Sequence, residues 1–166
     1  MPEPDETTTA TLTMNDVMRR EFPVAERGTT IAELARMMVE HRVPGVPIID
    51  NGELVGIVTE ADLIQREASV DVPSVIPFLD AVFCFDAGKP FDEELRRVLA
   101  TTAGELMTSP VVSIKLEATP SELATLMLQR LINPVPVVDS DRRIIGLATR
   151  SALVEMIARL ESGAPS

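Results

Sequence analysis

The chain repeats itself in a fixed register. Pro47 and Pro136 stand 89 residues apart, as do Asp50 and Asp139, Met18 and Met107, Thr30 and Thr119, Glu33 and Glu122, and Met38 and Met127. Past Asp50 the offset becomes 90, pairing Gly56 with Gly146 and Thr59 with Thr149. One residue has therefore been inserted in a surface turn. The repeated stretch is most legible from Val46 to Asp62. Apolar Val46 to Ile49 runs into Asp50-Asn51-Gly52, a strong hairpin signal, and Leu54 to Val58 then meets Thr59-Glu60-Ala61-Asp62. This reads as strand, turn, strand and helix start, and it returns from Val135 to Ala152.

The helices announce themselves by their caps. Thr30 with Glu33 makes a capping box, and Ile31, Leu34, Ala35, Met38 and Val39 recur along one face. Pro44 and Gly45 break that helix. Thr119 with Glu122 repeats the box, with Pro120 at the first helical position. Met14 to Arg19 reads as a short helical turn, Phe22 to Ala25 as an extended piece, Glu60 to about Gln65 as a helix, and Ser151 to about Leu160 as a closing amphipathic helix. The resulting division is an acidic tail over 1–11, a first repeat over 12–66, an insert over 67–102, a second repeat over 103–160 and a tail over 161–166. The insert holds a strongly apolar segment, Val75 to Phe85, and a helix over Asp92 to Ala100. Apolar chain of that kind needs a surface to cover, within the chain or on a second copy.

Composition narrows the functional classes. With 26 acidic against 15 basic residues, a formal charge of −11 repels a phosphate backbone, so nucleic acid is not an expected partner. No tryptophan or tyrosine is present to stack on bases. No apolar run reaches the ~18 residues of a membrane span, and the acidic N-terminus has no signal-peptide core. A single cysteine, Cys84, suits a reducing compartment, and the cytoplasm is the expected location. Cys84 in its apolar run reads as an inert core thiol, His41 as a solvated or satisfied residue near a helix end, and Met37, Met38, Met107, Met127 and Met156 as core. No nucleophile triad, metal-ligand spacing or glycine-rich phosphate loop is present, so catalysis is not expected.

The doubled pattern resembles tandem CBS domains, the Bateman module, over about Leu12 to Arg159. Its marks are Asp16-Val17-Met18 and Glu105-Leu106-Met107, the capped helices, two V-P-hydrophobic-hydrophobic-Asp strands, and Gly56 to Asp62. The resemblance implies a mixed α+β or α/β fold: two β-α-β-β-α repeats packed about a pseudo-twofold axis, with the apolar segment and helix inserted between them. Two amphipathic helices and three short strands are too few to bury their apolar face alone, so the halves must pack together. It further implies a homodimer, no required cofactor, and regulatory binding of AMP, ADP, ATP or S-adenosylmethionine in clefts between repeats.

Carried over residue by residue, the resemblance gives Thr59 and Asp62 a hydroxyl and a ribose-binding carboxylate at a helix start. Val111, Val112 and Asn133 would complete this first cleft. A second cleft would combine Thr149 and Arg150 with Phe22, Pro23 and Pro44. There Ala152 stands where Asp62 stood, so the second cleft is expected to be weak or empty toward nucleosides. Thr59 and Asp62 also fit an ordinary helix cap. Two functions follow: a sensor of an adenosyl ligand that reports to a separate effector protein, or a ligand-free dimerisation and protein-interaction module acting through the apolar insert.

Overall fold

The computed structural model describes residues 11–68 and 100–163. The apolar segment Val75 to Phe85, Cys84, nearly all of the helix expected over Asp92 to Ala100 and the acidic tail lie outside the described residues. The order of elements is α1 (Met14–Val17), β1 (Ala25–Glu26), α2 (Ile31–His41), β2 (Gly45–Asp50), β3 (Glu53–Thr59), α3 (Glu60–Ala68), α4 (Ala103–Leu106), β4 (Ile114–Lys115), α5 (Pro120–Arg130), β5 (Val135–Val138), β6 (Ile144–Ala148) and α6 (Arg150–Ser162). Two three-stranded sheets result, β1-β2-β3 and β4-β5-β6, each with one parallel and one antiparallel pairing.

Local chemistry fixes the elements. In α2 the Glu33 amide donates to Thr30 Oγ1 at 3.3 Å while the Thr30 amide donates to Glu33 Oε2 at 3.0 Å. Thr119 and Glu122 repeat the arrangement in α5, at 3.3 and 2.7 Å. Both helices stop on a left-handed residue, Arg42 or Leu131. The first hairpin turns through Asn51 and Gly52, both at positive φ, which matches the right-handed twist of its strands. The longer second turn is organised by Asp139, whose Oδ1 accepts from the amides of Asp141 and Arg143 at 2.9 Å. The extended piece expected over Phe22 to Ala25 enters the sheet only at Ala25, since Pro23 has no N–H for a ladder. The closing helices run longer than expected, to Ala68 and Ser162.

Each repeat lends its opening helix to the other. Met14, Val17 and Met18 are buried with Ile114, Leu123, Met127, Val135, Val137 and Met156. Ala100, Ala103 and Leu106 are buried with Ala25, Leu34, Met38, Val46, Ile48 and Val58. Both cores are aliphatic and methionine-containing, with Met37 and Met107 packed against the second. Backbone bonds secure the exchange: Arg19 and Leu147 trade two at 2.9 Å, and Thr108 and Ile57 trade two at 3.2 and 2.8 Å. A bulge in each hairpin, at Ile48/Ile49 and at Val137/Val138, precedes the contact. It sets Gly56 beneath Met107 and Gly146 beneath Met18, where an added Cβ would lie 2.4 and 2.2 Å from the sulfur. Glycine at these two positions lets the methionine seat against bare backbone.

Candidate functional site

Each hairpin delivers its last residue to a helix start, and there the structure buries polar atoms. Among the described residues, Asp62 and Thr149 are the buried polar or charged side chains, at 9% and 4% exposure. The Thr59 amide and hydroxyl both donate to Asp62 Oδ2 at 2.8 Å, and the Asp62 amide returns a bond to Thr59 Oγ1 at 3.4 Å. Glu60, the first residue of α3, donates its amide to the Pro44 carbonyl at 2.9 Å. Thr149 begins α6 by accepting from the Ala152 amide at 3.1 Å. With alanine at 152 the reciprocal carboxylate is missing, so this cap is one-sided.

The exchange brings a crossing segment to each helix start. The Thr108–Ile57 bridge holds 108–112, with Val111 half-buried and Val112 exposed, beside the end of β3 that leads into Thr59. The Arg19–Leu147 bridge holds 19–23, with Phe22 half-buried and Pro23 buried, beside the end of β6 that leads into Thr149. The bridges thus set Thr108, three residues before Val111, beside Ile57, two residues before Thr59, and Arg19, three residues before Phe22, beside Leu147, two residues before Thr149. Asn133 and Pro44 distribute differently from the expectation. The Asn133 side chain accepts from the Arg150 amide at 3.0 Å, at the second helix start, while Pro44 serves the first. The two turns meet near the pseudo-twofold axis: a Cβ on Gly45 would lie 2.8 Å from Pro134 Cδ.

Sequence reasoning also missed Arg19. Its guanidinium donates to the carbonyls of Arg42 and His41 at 3.0 and 3.1 Å, closing the C-terminus of α2. His41 is exposed and contributes only this carbonyl. A surface groove of about 330 Å³ lies elsewhere, lined by Glu26, Arg27, Gly28 and Ile49 to Gly52 around the Arg27–Asp50 ion pair. No helix among the described residues is long and apolar enough to cross a membrane.

Two interlocked β-α-β-β-α units with polar groups at their matching helix starts define a tandem-repeat module. The CBS domain profile matches residues 14–69 and 103–159, and the chain belongs to the CBS-domain family. It is 27% identical over 152 residues to the uncharacterized protein MJ1426 of Methanocaldococcus jannaschii, spanning 87% of this chain and 90% of that one. It is 28% identical to the chloroplastic CBS domain-containing protein CBSX2 of Arabidopsis thaliana, covering 90% of this chain and 65% of that relative's length. The crystal structure of CBSX2 in complex with AMP superposes with a TM-score of 0.71 at 26% identity, covering 90% of this chain and 99% of that one. The CBS domain pair of MJ0100, in complex with 5′-methylthioadenosine and S-adenosylmethionine, superposes at 0.66 with 23% identity, covering 87% and 98%, and shares the fold.

Proposed function

We propose that this chain is a regulatory module binding one adenosyl ligand, of the AMP, ADP, ATP or S-adenosylmethionine class, in the cleft between Thr59–Asp62 and segment 108–112. The burial of Asp62 at a helix start carries the reading, in a core otherwise aliphatic. The positive end of α3 favours a carboxylate there, and carboxylate oxygens accept hydroxyl protons of the kind a ribose presents. The likeness to a CBS pair crystallised with AMP supports the ligand class. Val111 and Val112 offer apolar side chains and backbone to an adenine edge. The module has no catalytic role in this reading and requires no cofactor. Its output passes to a separate effector protein in the cytoplasm. A second copy of the chain would cover Val154, Ile157 and Leu160, which stand 62, 48 and 58% exposed along α6.

Calorimetric titration with adenosine, AMP, ADP, ATP and S-adenosylmethionine tests the reading. A hydrogen bond to a charged group contributes about 1.5 to 3 kcal/mol, so Asp62→Ala weakens the preferred ligand about ten- to a hundredfold. Asp62→Asn, which keeps an oxygen for the Thr59 cap, separates ligand loss from helix loss. No binding by the unmodified protein to any of the five would leave the ligand-free interaction module in its place.

A further inference from the structure

The outer side of α6 carries a stripe of its own. Val154 and Ile157 are exposed on it, while Met156 turns into the core. One turn before Val154 stands Arg150 and one turn after Ile157 stands Glu161, both exposed on the same line of the helix. Positions 150, 154, 157 and 161 follow the four-three-four spacing by which one helix faces another, over about 16 Å.

The two charges stand at the wrong ends of their own helix. A helix start favours acidic groups and a helix end basic ones, yet Arg150 is the first residue of α6 and Glu161 lies in its last turn. Neither joins an ion pair among the described residues, where Arg27, Arg36 and Arg66 each do. A second α6 laid antiparallel on the stripe turns both penalties into attractions. Arg150 then meets the end of the other helix and Glu161 of the partner subunit, and Val154 meets Ile157 of the partner subunit, each contact made twice by symmetry. A parallel pairing would set arginine on arginine and glutamate on glutamate.

The first repeat cannot pair in this way. The positions of α3 that match 150, 154 and 157 are Glu60, Ile64 and Glu67. An antiparallel α3 pair would press Ile64 against glutamate, and a parallel one would set glutamate on glutamate.

We propose that a second copy of this chain docks on the α6 stripe of the second repeat, antiparallel about a twofold axis between Val154 and Ile157, with two Arg150–Glu161 pairs fixing the register. This rests on the reading above that a second copy covers α6, and adds to it the direction, the register and the exclusion of α3.

Sedimentation equilibrium of the full chain without ligand tests it. The unmodified protein should be a dimer. Ile157→Glu, which installs the residue found at the matching position of α3, should weaken the dimer at least a hundredfold, while Ile64→Glu should leave it unchanged. Arg150→Glu and Glu161→Arg should each weaken it about tenfold, although each suits the field of its own helix, and the two together should restore it. A monomeric unmodified protein, an unchanged dimer in Ile157→Glu, an equal loss in Ile64→Glu, or a double swap no tighter than the single ones overturns the proposal. Mass is read without ligand and adenosyl binding by calorimetry, so the docking and the ligand reading fail separately.

Discussion

Thr59 and Thr149 cap helices entered from the same hairpin, through the same bulge and beside the same kind of borrowed segment. Thr59 faces a carboxylate that closes its cap from both sides, whereas Thr149 is closed from one side and followed by Arg150 in place of an acidic residue. The contrast separates two layers of the sequence. Residues that shape the backbone are nearly identical between halves, in the capping boxes and the glycines under methionines, and the helices stop in the same left-handed conformation although on Arg42 in one half and Leu131 in the other. Residues at the two helix starts have diverged in charge, Glu60 and Asp62 standing against Arg150 and Ala152. Packing tolerates little change at the former, while partly exposed charges impose little on the fold and are free to differ.

The comparison can be broken most forcefully in the cores. Leu34 and Leu123 occupy matching positions at 0% exposure, one in each core. Replacement of either by alanine should cost about 2 to 5 kcal/mol in denaturant unfolding, by lost transfer energy and a residual cavity. If one half tolerated the change at less than about 1 kcal/mol, the equivalence of the two cores would be wrong.

A smaller effect sharpens the difference between the clefts. Ala152→Asp restores the carboxylate that Thr149 lacks and places it in the first turn of α6. Stability should rise by about 0.5 to 1 kcal/mol at neutral pH, through the completed capping box and the helix field. Thermal melts read the outcome.

The smallest effect comes from the caps the halves share. Amide hydrogen bonds, from Thr30 to Glu33, from Thr101 and Thr102 to Glu105, and from Thr119 to Glu122, hold all three carboxyls below the ordinary glutamate range. The folded state therefore prefers their charged form. Their contribution is full above the ordinary glutamate pKa and disappears as pH falls through the lower folded values. Melting temperature measured from roughly pH 7 down to pH 3 should fall on this limb, and Glu33→Gln with Glu122→Gln should flatten it.

Much of this was readable from the chain. Thr30 with Glu33 and Thr119 with Glu122 mark helix starts because capping needs only neighbours in sequence. Asp50-Asn51-Gly52 marks a turn because few residues accept positive φ in succession. The Asp62 and Ala152 difference was visible by alignment of the two halves. What could not be read was partnership across distance. The apolar spacing in Met14 to Met18 says that the segment is buried, but not that it is buried in the opposite repeat. Asn133 looked like a residue of the first cleft because its own helix start lies 17 positions away. Arg19 was legible only as the end of a short helical turn, since nothing local indicates that the end of α2 waits for it.

The exchanged opening helices bear on how such a chain could arise. A lone repeat would carry a helix with no core to enter and a core with no helix to fill it. Two identical copies would satisfy one another and produce two identical clefts. Fusing them into one polypeptide freed each cleft to be inherited and altered by itself. The unequal pair at Thr59 and Thr149 is a divergence that a symmetric ancestor made of two separate chains could not have recorded, because any change would have struck both sites at once.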